Sequence, residues 1–363
     1  MQPDSGTETG TGRPDIADIR IQDVVGIKEM TAFERLLASQ AFWVTVALAA
    51  IIALMCYLQP DAFASTENFY NITRNFAFIG IMSVGMVCVI ITGGIDLSVG
   101  SVMGLVGVAC GIILEAGHAW YFAVLGGLFA GLLAGLVNGL LIAYAGLSPF
   151  VVTLGMLSLA RSLAIVLSGN KMIYQFGPDG PAFKIIGGGQ NIGLNGVSEA
   201  IFGAPLPFQL SNPVWVLVIL AVAIGLTLKF TRWGRYIYAI GGNEHAARLT
   251  GIPVDRVKVQ AYVVCALTAS IAAILVVGWQ GSAINALGTS YELRVIASTV
   301  IGGANLMGGE GGTYGAVIGA ALLEVIRNSL LMQGIDSNWQ GAFVGVFIIL
   351  AVLLEKIRGR RRA

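Results

Sequence analysis

The chain has 363 residues, 56% of them hydrophobic and only 11% charged, with a mean hydropathy of +0.80. Soluble domains carry about 25% charged residues, so the composition excludes an ordinary water-soluble enzyme or binding module and points to a membrane protein. The 21 basic residues stand against 20 acidic ones, a formal charge of +1, which leaves no basic footprint for a nucleic acid.

In chain order, residues 1–40 form a polar arm of mixed charge without the apolar core of a signal peptide. Residues 1–15 have the composition of disordered chain, and Ile16 to Leu37 reads as an amphipathic helix lying on a membrane surface. A bilayer core needs about 20 apolar residues per helix. That measure predicts spans at 41–58, 74–92, 97–115, 120–144, 150–169, 213–230, 259–279, 294–307, 312–331 and 339–355. The expected fold is thus an all-α polytopic bundle of about ten spans over residues 41–357, closed by a basic tail at 358–363. The eighth span is too short for a clean crossing, and its glycine-rich end predicts a broken helix buried within protein. Trp43, Trp279 and Trp339 fall near span ends, as interfacial anchors do.

Charge sets the orientation. Arg13, Arg20, Lys28 and Arg35 precede the first span; Lys229, Arg232, Arg235, Arg248, Arg256 and Lys258 lie in or beside the loop 231–258; Lys356, Arg358, Arg360, Arg361 and Arg362 close the chain. The loop 170–212 holds only Lys171 and Lys184. The positive-inside rule places both termini and loop 231–258 in the cytosol and loop 170–212 outside. Ten spans satisfy all three placements, whereas nine or eleven do not. The outer loop, with Ile201-Phe202 and Leu206-Pro207-Phe208, is either a docking cap or a long connection.

Loop 231–258 contains a fully punctuated short helix. Asn243 suits its N-cap and Glu244 its first turn; Ala246, Ala247 and Arg248 continue it; Gly251 suits a left-handed stop, and Pro253 after Ile252 forbids continuation. A well-built helix in a basic cytosolic loop is an offer to a partner. The chain itself lacks the phosphate-binding pattern G-x-x-x-x-G-K-[S/T], so any nucleotide engine belongs to another chain.

The string Gly93-Gly94-Ile95-Asp96-Leu97-Ser98-Val99-Gly100 recurs in form as Gly302-Gly303-Ala304-Asn305-Leu306-Met307-Gly308-Gly309. Paired, glycine-interrupted segments in corresponding halves are pointers to a transport pathway. Gly93, Gly94, Asp96, Gly302, Gly303 and Asn305 are therefore candidate pathway or gating residues, and close helix packing is the competing role for the glycines. Asp96 is placed either to cap the following helix or to gate. Asn75, Asn138 and Arg161 are polar groups within spans that need partners; Arg161 calls for an interhelical bond. Glu324 and Arg327, three apart on one helix, are set to pair. Cys56, Cys88, Cys110 and Cys265 lie in apolar runs without ligand spacing and read as packing residues.

Taken together, Thr92–Ser101, Thr153-Leu154-Gly155-Met156 with Ala160-Arg161, Gly241–Ile252, and Gly308-Gly309-Glu310-Gly311-Gly312-Thr313-Tyr314-Gly315 resemble the permease subunits of bacterial monosaccharide ABC importers. The likeness runs in order over residues 40–357. It implies a type II importer architecture with two permease copies, identical or paralogous, in the inner membrane. It also implies cytosolic ATPase subunits that hydrolyse ATP, a periplasmic sugar-binding protein, no cofactor on this chain and no enzymatic activity of its own. Residues 243–252 then match the segment that seats in the ATPase. His245 departs from the family, which often has an acidic residue there, and the N-terminal arm is longer than usual. The same architecture also serves nucleosides, furanosyl signal molecules or branched-chain amino acids. An ion-coupled secondary transporter is the rival class, disfavoured by the scarcity of mid-membrane carboxylates. A membrane enzyme would need a constellation of acid, base or metal ligands, which two isolated histidines and scattered carboxylates do not supply.

Overall fold

The most buried helices are also among the longest. In the computed structural model, residues 39–191 and 209–336 are described, together with positions 31, 37, 339, 341, 342, 345 and 346. Thirteen helices are assigned among them: α1 (Gln40–Leu58), α2 (Pro60–Phe63), α3 (Thr66–Ile91), α4 (Val99–Glu115), α5 (Trp120–Ala143), α6 (Pro149–Leu167), α7 (Gly180–Gly188), α8 (Asn212–Phe230), α9 (Arg232–Gly242), α10 (Glu244–Leu249), α11 (Val254–Gln280), α12 (Tyr291–Ile301) and α13 (Thr313–Met332). No strand occurs among the described residues; two isolated bridges, Ile173 with Ala283 and Gln190 with Ser211, tie loop ends together.

Seven helices, α1, α3, α5, α6, α8, α11 and α13, are long and apolar enough to cross a bilayer, and α4 is a shorter apolar helix. Helices α3 and α11 are mostly buried and form the centre, whereas α1, α6 and α8 turn most of their apolar surface outward. Helix α5 packs closely along α11 because Gly127, Gly131, Gly135 and Gly139 recur every fourth residue on one face. A Cβ at Gly135 would stand 2.7 Å from the Ala266 side chain and 2.9 Å from the Tyr262 carbonyl; one at Gly139 would stand 2.8 Å from the Val259 backbone. Small residues let the two backbones approach, the usual route to tight packing where lipid supplies no hydrophobic drive.

Several expected boundaries need correction. The second span begins at Thr66, not 74, since Ser65 caps it by accepting the Asn68 amide at 3.2 Å. Its extra polar turns are satisfied inside the bundle, where Asn68 and Asn328 exchange side-chain hydrogen bonds between α3 and α13. The seventh begins at Val254, not 259, directly after Pro253. In place of the eighth span, an irregular segment, 281–290, precedes the 11-residue α12, so the break lies before that helix as well as at its glycine-rich end. Loop 170–212 is not a bare connection: α7 packs against the end of α11, with Gly187 close to the Leu275 carbonyl. Loop 231–258 holds two helices rather than one. Most of the tenth expected span at 339–355, the Ile201–Phe208 apolar residues, the basic tail and nearly all of the N-terminal arm lie outside the described residues.

Candidate functional site

Helix α9 was not expected, although its signal was available. Thr231 accepts the Gly234 amide at 3.2 Å as an N-cap, and Gly234, Ile237 and Ile240, spaced at three, form the buried face. Asn243 ends α9 and starts α10, where its side chain accepts the Ala246 amide at 2.9 Å. Gly251 stops α10 with φ +81°, and the Ile252 amide reaches back to the Ala247 carbonyl at 3.1 Å, closing a left-handed cap.

The faces of α10 divide its residues into two sets. Ala247 is buried against the permease itself. Glu244 accepts from Lys258 at 2.6 Å and from Arg248 at 3.2 Å, while Arg248 forks onto Asp255 at 2.5 and 3.1 Å. These pairs staple α10 to the first two turns of α11. Partial burial alone would raise the Glu244 carboxyl, but the Lys258 and Arg248 bonds outweigh it and hold the group below the usual carboxylate range. Bonds to Asp255 and then Glu244 push the Arg248 guanidinium up. The outward set is Asn243, His245, Ala246, Leu249, Thr250, Gly251 and Pro253, and Leu249 is 77% exposed. Leu249, a leucine turned to solvent from a polar segment, is the exposed apolar residue that sequence reasoning missed, since helical spacing alone did not show which face the α11 staple would cover.

The two glycine motifs come together. Both end a helix in a left-handed cap: the Gly94 amide reaches Val89 O at 3.1 Å around Gly93 (φ +78°), and the Ala304 amide reaches Thr299 O at 3.1 Å around Gly303 (φ +102°). The left-handed glycine is thus the first of the pair in one copy and the second in the other. Beyond it, the Asp96 carboxylate accepts the Ser98 amide at 2.8 Å and Asn305 accepts the Met307 amide at 2.7 Å, the same turn at matching positions. Gly309 donates its amide to the Ile91 carbonyl at 2.9 Å, so the second break rests on the end of α3. Gly241 of α9 lies against both: a Cβ there would collide with the Ile91 carbonyl and the Gly309 backbone. The Tyr238 hydroxyl donates to the Gly311 carbonyl at 2.8 Å. The end of α3, the second break and α9 therefore meet at one glycine junction.

The remaining candidates are dispersed. Asp96 is buried and also accepts the Ser98 hydroxyl at 2.6 Å, which in turn accepts from Asn138 at 3.0 Å. Gly94 faces the Tyr262 hydroxyl, Gly302 abuts Gly315, and Gly303 abuts Gln40, whose amide donates to the Val300 and Ile301 carbonyls. Arg161 finds its partners in the irregular crossing, donating to the Asn285 carbonyl at 2.6 Å and the Leu287 carbonyl at 3.0 Å. Asn75 lines a cavity of about 230 Å³ between α3, α11, α12 and α13, together with Trp279, Gln280, Tyr291 and the paired Glu324 and Arg327. Arg74 lies 4.2 Å over the Trp279 ring. No cluster of three potential metal-ligating side chains occurs among the described residues.

Residues 68–352 match the family model described as "Branched-chain amino acid transport system / permease component". The chain belongs to that permease family. Over 310 residues it is 37% identical to the ribose import permease protein of Escherichia coli (strain K12), covering 85% of this chain and 92% of that one. It is 30% identical over 311 residues to the D-allose transport system permease protein of the same strain, covering 85% and 90%. Against the autoinducer 2 import system permease protein of Photorhabdus luminescens it is 33% identical over 285 residues, covering 78% and 82%. No solved structure matches the chain. The permease match covers both glycine breaks and the α9–α10 segment, so the geometry above belongs to the part shared with the family.

Proposed function

We propose that the chain is the membrane-spanning permease of an ATP-driven importer that moves a monosaccharide of the ribose type, with α10 seated on a cytosolic ATPase. The observation that carries this reading is the 37% identity to a ribose import permease over 85% of this chain and 92% of that one. The family's description names branched-chain amino acids, but the matched relatives named for a solute carry ribose, D-allose and autoinducer 2, which favours a small polyhydroxylated solute. The chain does no chemistry: the energy comes from a partner, since no phosphate-binding pattern occurs in this sequence. A second copy, or a paralogue, completes the conduit in the inner membrane, and a periplasmic sugar-binding protein delivers the solute. Both termini and α10 face the cytosol by the distribution of Lys and Arg.

One cell-based experiment tests the reading, using single cysteines at Gln190 or Leu249 in a cysteine-free background. An impermeant maleimide added outside is expected to label Gln190→Cys and spare Leu249→Cys. Cells with the unaltered protein are expected to take up labelled ribose as long as ATP is held, including after the proton gradient is collapsed. Labelling of Leu249→Cys overturns the orientation, and uptake that follows the proton gradient instead of ATP returns the chain to the secondary-transporter class.

A further inference from the structure

A docking helix is useful only if its displacement reaches the membrane bundle, and the two routes out of α10 differ. Toward the C-terminus it runs into α11 past Pro253, stapled by Glu244–Lys258 and Arg248–Asp255. Toward the N-terminus it is joined through the single residue Asn243 to α9. Helix α9 contacts the glycine junction at two points one turn apart. Gly241 lies backbone to backbone on Ile91, the last residue of α3, and on Gly309 of the second break. Tyr238, three residues earlier, donates its hydroxyl to Gly311, two residues before α13 begins. The segment between is internally braced, because the Asn305 amide donates to the Glu310 carbonyl at 3.1 Å and the Gly308 amide to the Asn305 carbonyl at 2.9 Å.

We infer that Tyr238 is a positioning residue for transport: its hydroxyl ties α9 to the start of α13, so that a displacement of α10 moves α13 together with α3. The distinction between its two neighbours explains why a side-chain bond is needed there. The Gly241 contact is a fit between bare backbones, which transmits a push but holds against separation only by weak, non-directional dispersion. The Tyr238 bond is directional and resists pulling. Helices α3 and α13 both reach the opposite end of the bundle, where Asn75 and Phe78 of α3 and Glu324 and Arg327 of α13 wall the cavity. A rigid displacement applied at the junction is thereby delivered to two of the four walls of that cavity. α11, a third wall, receives it directly from α10.

The inference rests on the docking of α10 on an ATPase, and the experiment separates the two. The complete transporter, with its ATPase and binding protein, is reconstituted in proteoliposomes and assayed for labelled ribose taken up and ATP hydrolysed. Tyr238→Phe removes only the hydroxyl. It is expected to assemble, and to hydrolyse ATP under stimulation by the loaded binding protein, as the parent does. Ribose moved per ATP is expected to fall about five-fold, the scale of one ordinary hydrogen bond. An unchanged ratio overturns the inference. So does a variant that assembles poorly or loses uptake and hydrolysis in proportion, since the bond would then serve the fold alone. Leu249→Glu tests the underlying docking separately: it is expected to detach the ATPase, and retention of the ATPase with normal uptake overturns that reading whatever Tyr238→Phe does.

Discussion

The two glycine breaks began as one sequence pattern and end in unlike surroundings. In the first, residues 92–98, the polar turn is sealed although Gly93 is exposed: Asp96 and Ser98 are about 1% exposed, and Asn138 of α5 donates to the Ser98 hydroxyl. The second, residues 302–312, is open on one side. Asn305 is only partly covered, Met307 is 83% exposed, and α9 lies along the segment. The identical turn at Asp96 and Asn305 shows that the motif encodes local geometry. What each turn does follows from what packs on it. A polar group sealed among helices acts as a fixed brace, whereas a turn edged by a surface helix can pass on a displacement.

The largest expected effect tests whether α9 truly lies against the second break. Gly241→Ala drives a Cβ into the Ile91 carbonyl and the Gly309 backbone, neither of which is the free end of a side chain. A loss of about 1–3 kcal/mol or more is expected, read as a lower thermal midpoint in detergent with uptake abolished. Gly242→Ala, one residue on, meets open space and is expected to be neutral or to stabilise by about 0.4–1 kcal/mol. Equal behaviour of the two variants would break the contrast.

The difference between a sealed and an open turn is sharpened by removing the same bond from each. Asp96→Ala leaves the buried Ser98 amide without its acceptor, which costs about 1–3 kcal/mol, and Asp96→Asn, which keeps an acceptor oxygen, is expected to recover part of it. Asn305→Ala frees an amide close to solvent and is expected to cost about 0.5 kcal/mol. Thermal midpoints of the three proteins measure this, and a larger loss at Asn305 would reverse the assignment of brace and relay.

The smallest effect concerns the staple that holds α10. The Glu244 carboxyl is held below its ordinary value of 4.5, so its contribution is complete above that value and is lost as pH falls through the lowered one. Amide hydrogen exchange across residues 244–250 is therefore expected to be flat from pH 7 to about 5, after correction for intrinsic rates, and to accelerate only below about 4.5. Acceleration between pH 7 and 6 would show that Glu244 is not the group that holds the helix.

Much of this was legible in the chain because it depends on neighbours a few residues apart. Apolar run length, the Asn243 cap, the Gly251 stop and the Glu324–Arg327 pair are all local. The turn at Asp96 and Asn305 is local too, but the sequence offered only a cap or a gate at Asp96, and Ser98 is the residue at that N-cap. Run length failed where polar residues are satisfied by distant partners, as at Asn68 with Asn328, which hid the true start of α3. It failed again at residues 281–290, an irregular stretch held by Arg161 from another helix.

The sequence by itself determined a helical membrane permease with a capped helix in a basic loop and two glycine breaks. Only the tertiary structure decided that the breaks meet, that α9 joins them through Gly241 and Tyr238, that Ala247 faces inward, and that Leu249 faces outward. The physical reason is separation along the chain. A cap or a stop is fixed by bonds spanning three to five residues, whereas Tyr238 and Gly311 are 73 residues apart, and their contact exists only once α3, α9 and α13 have packed.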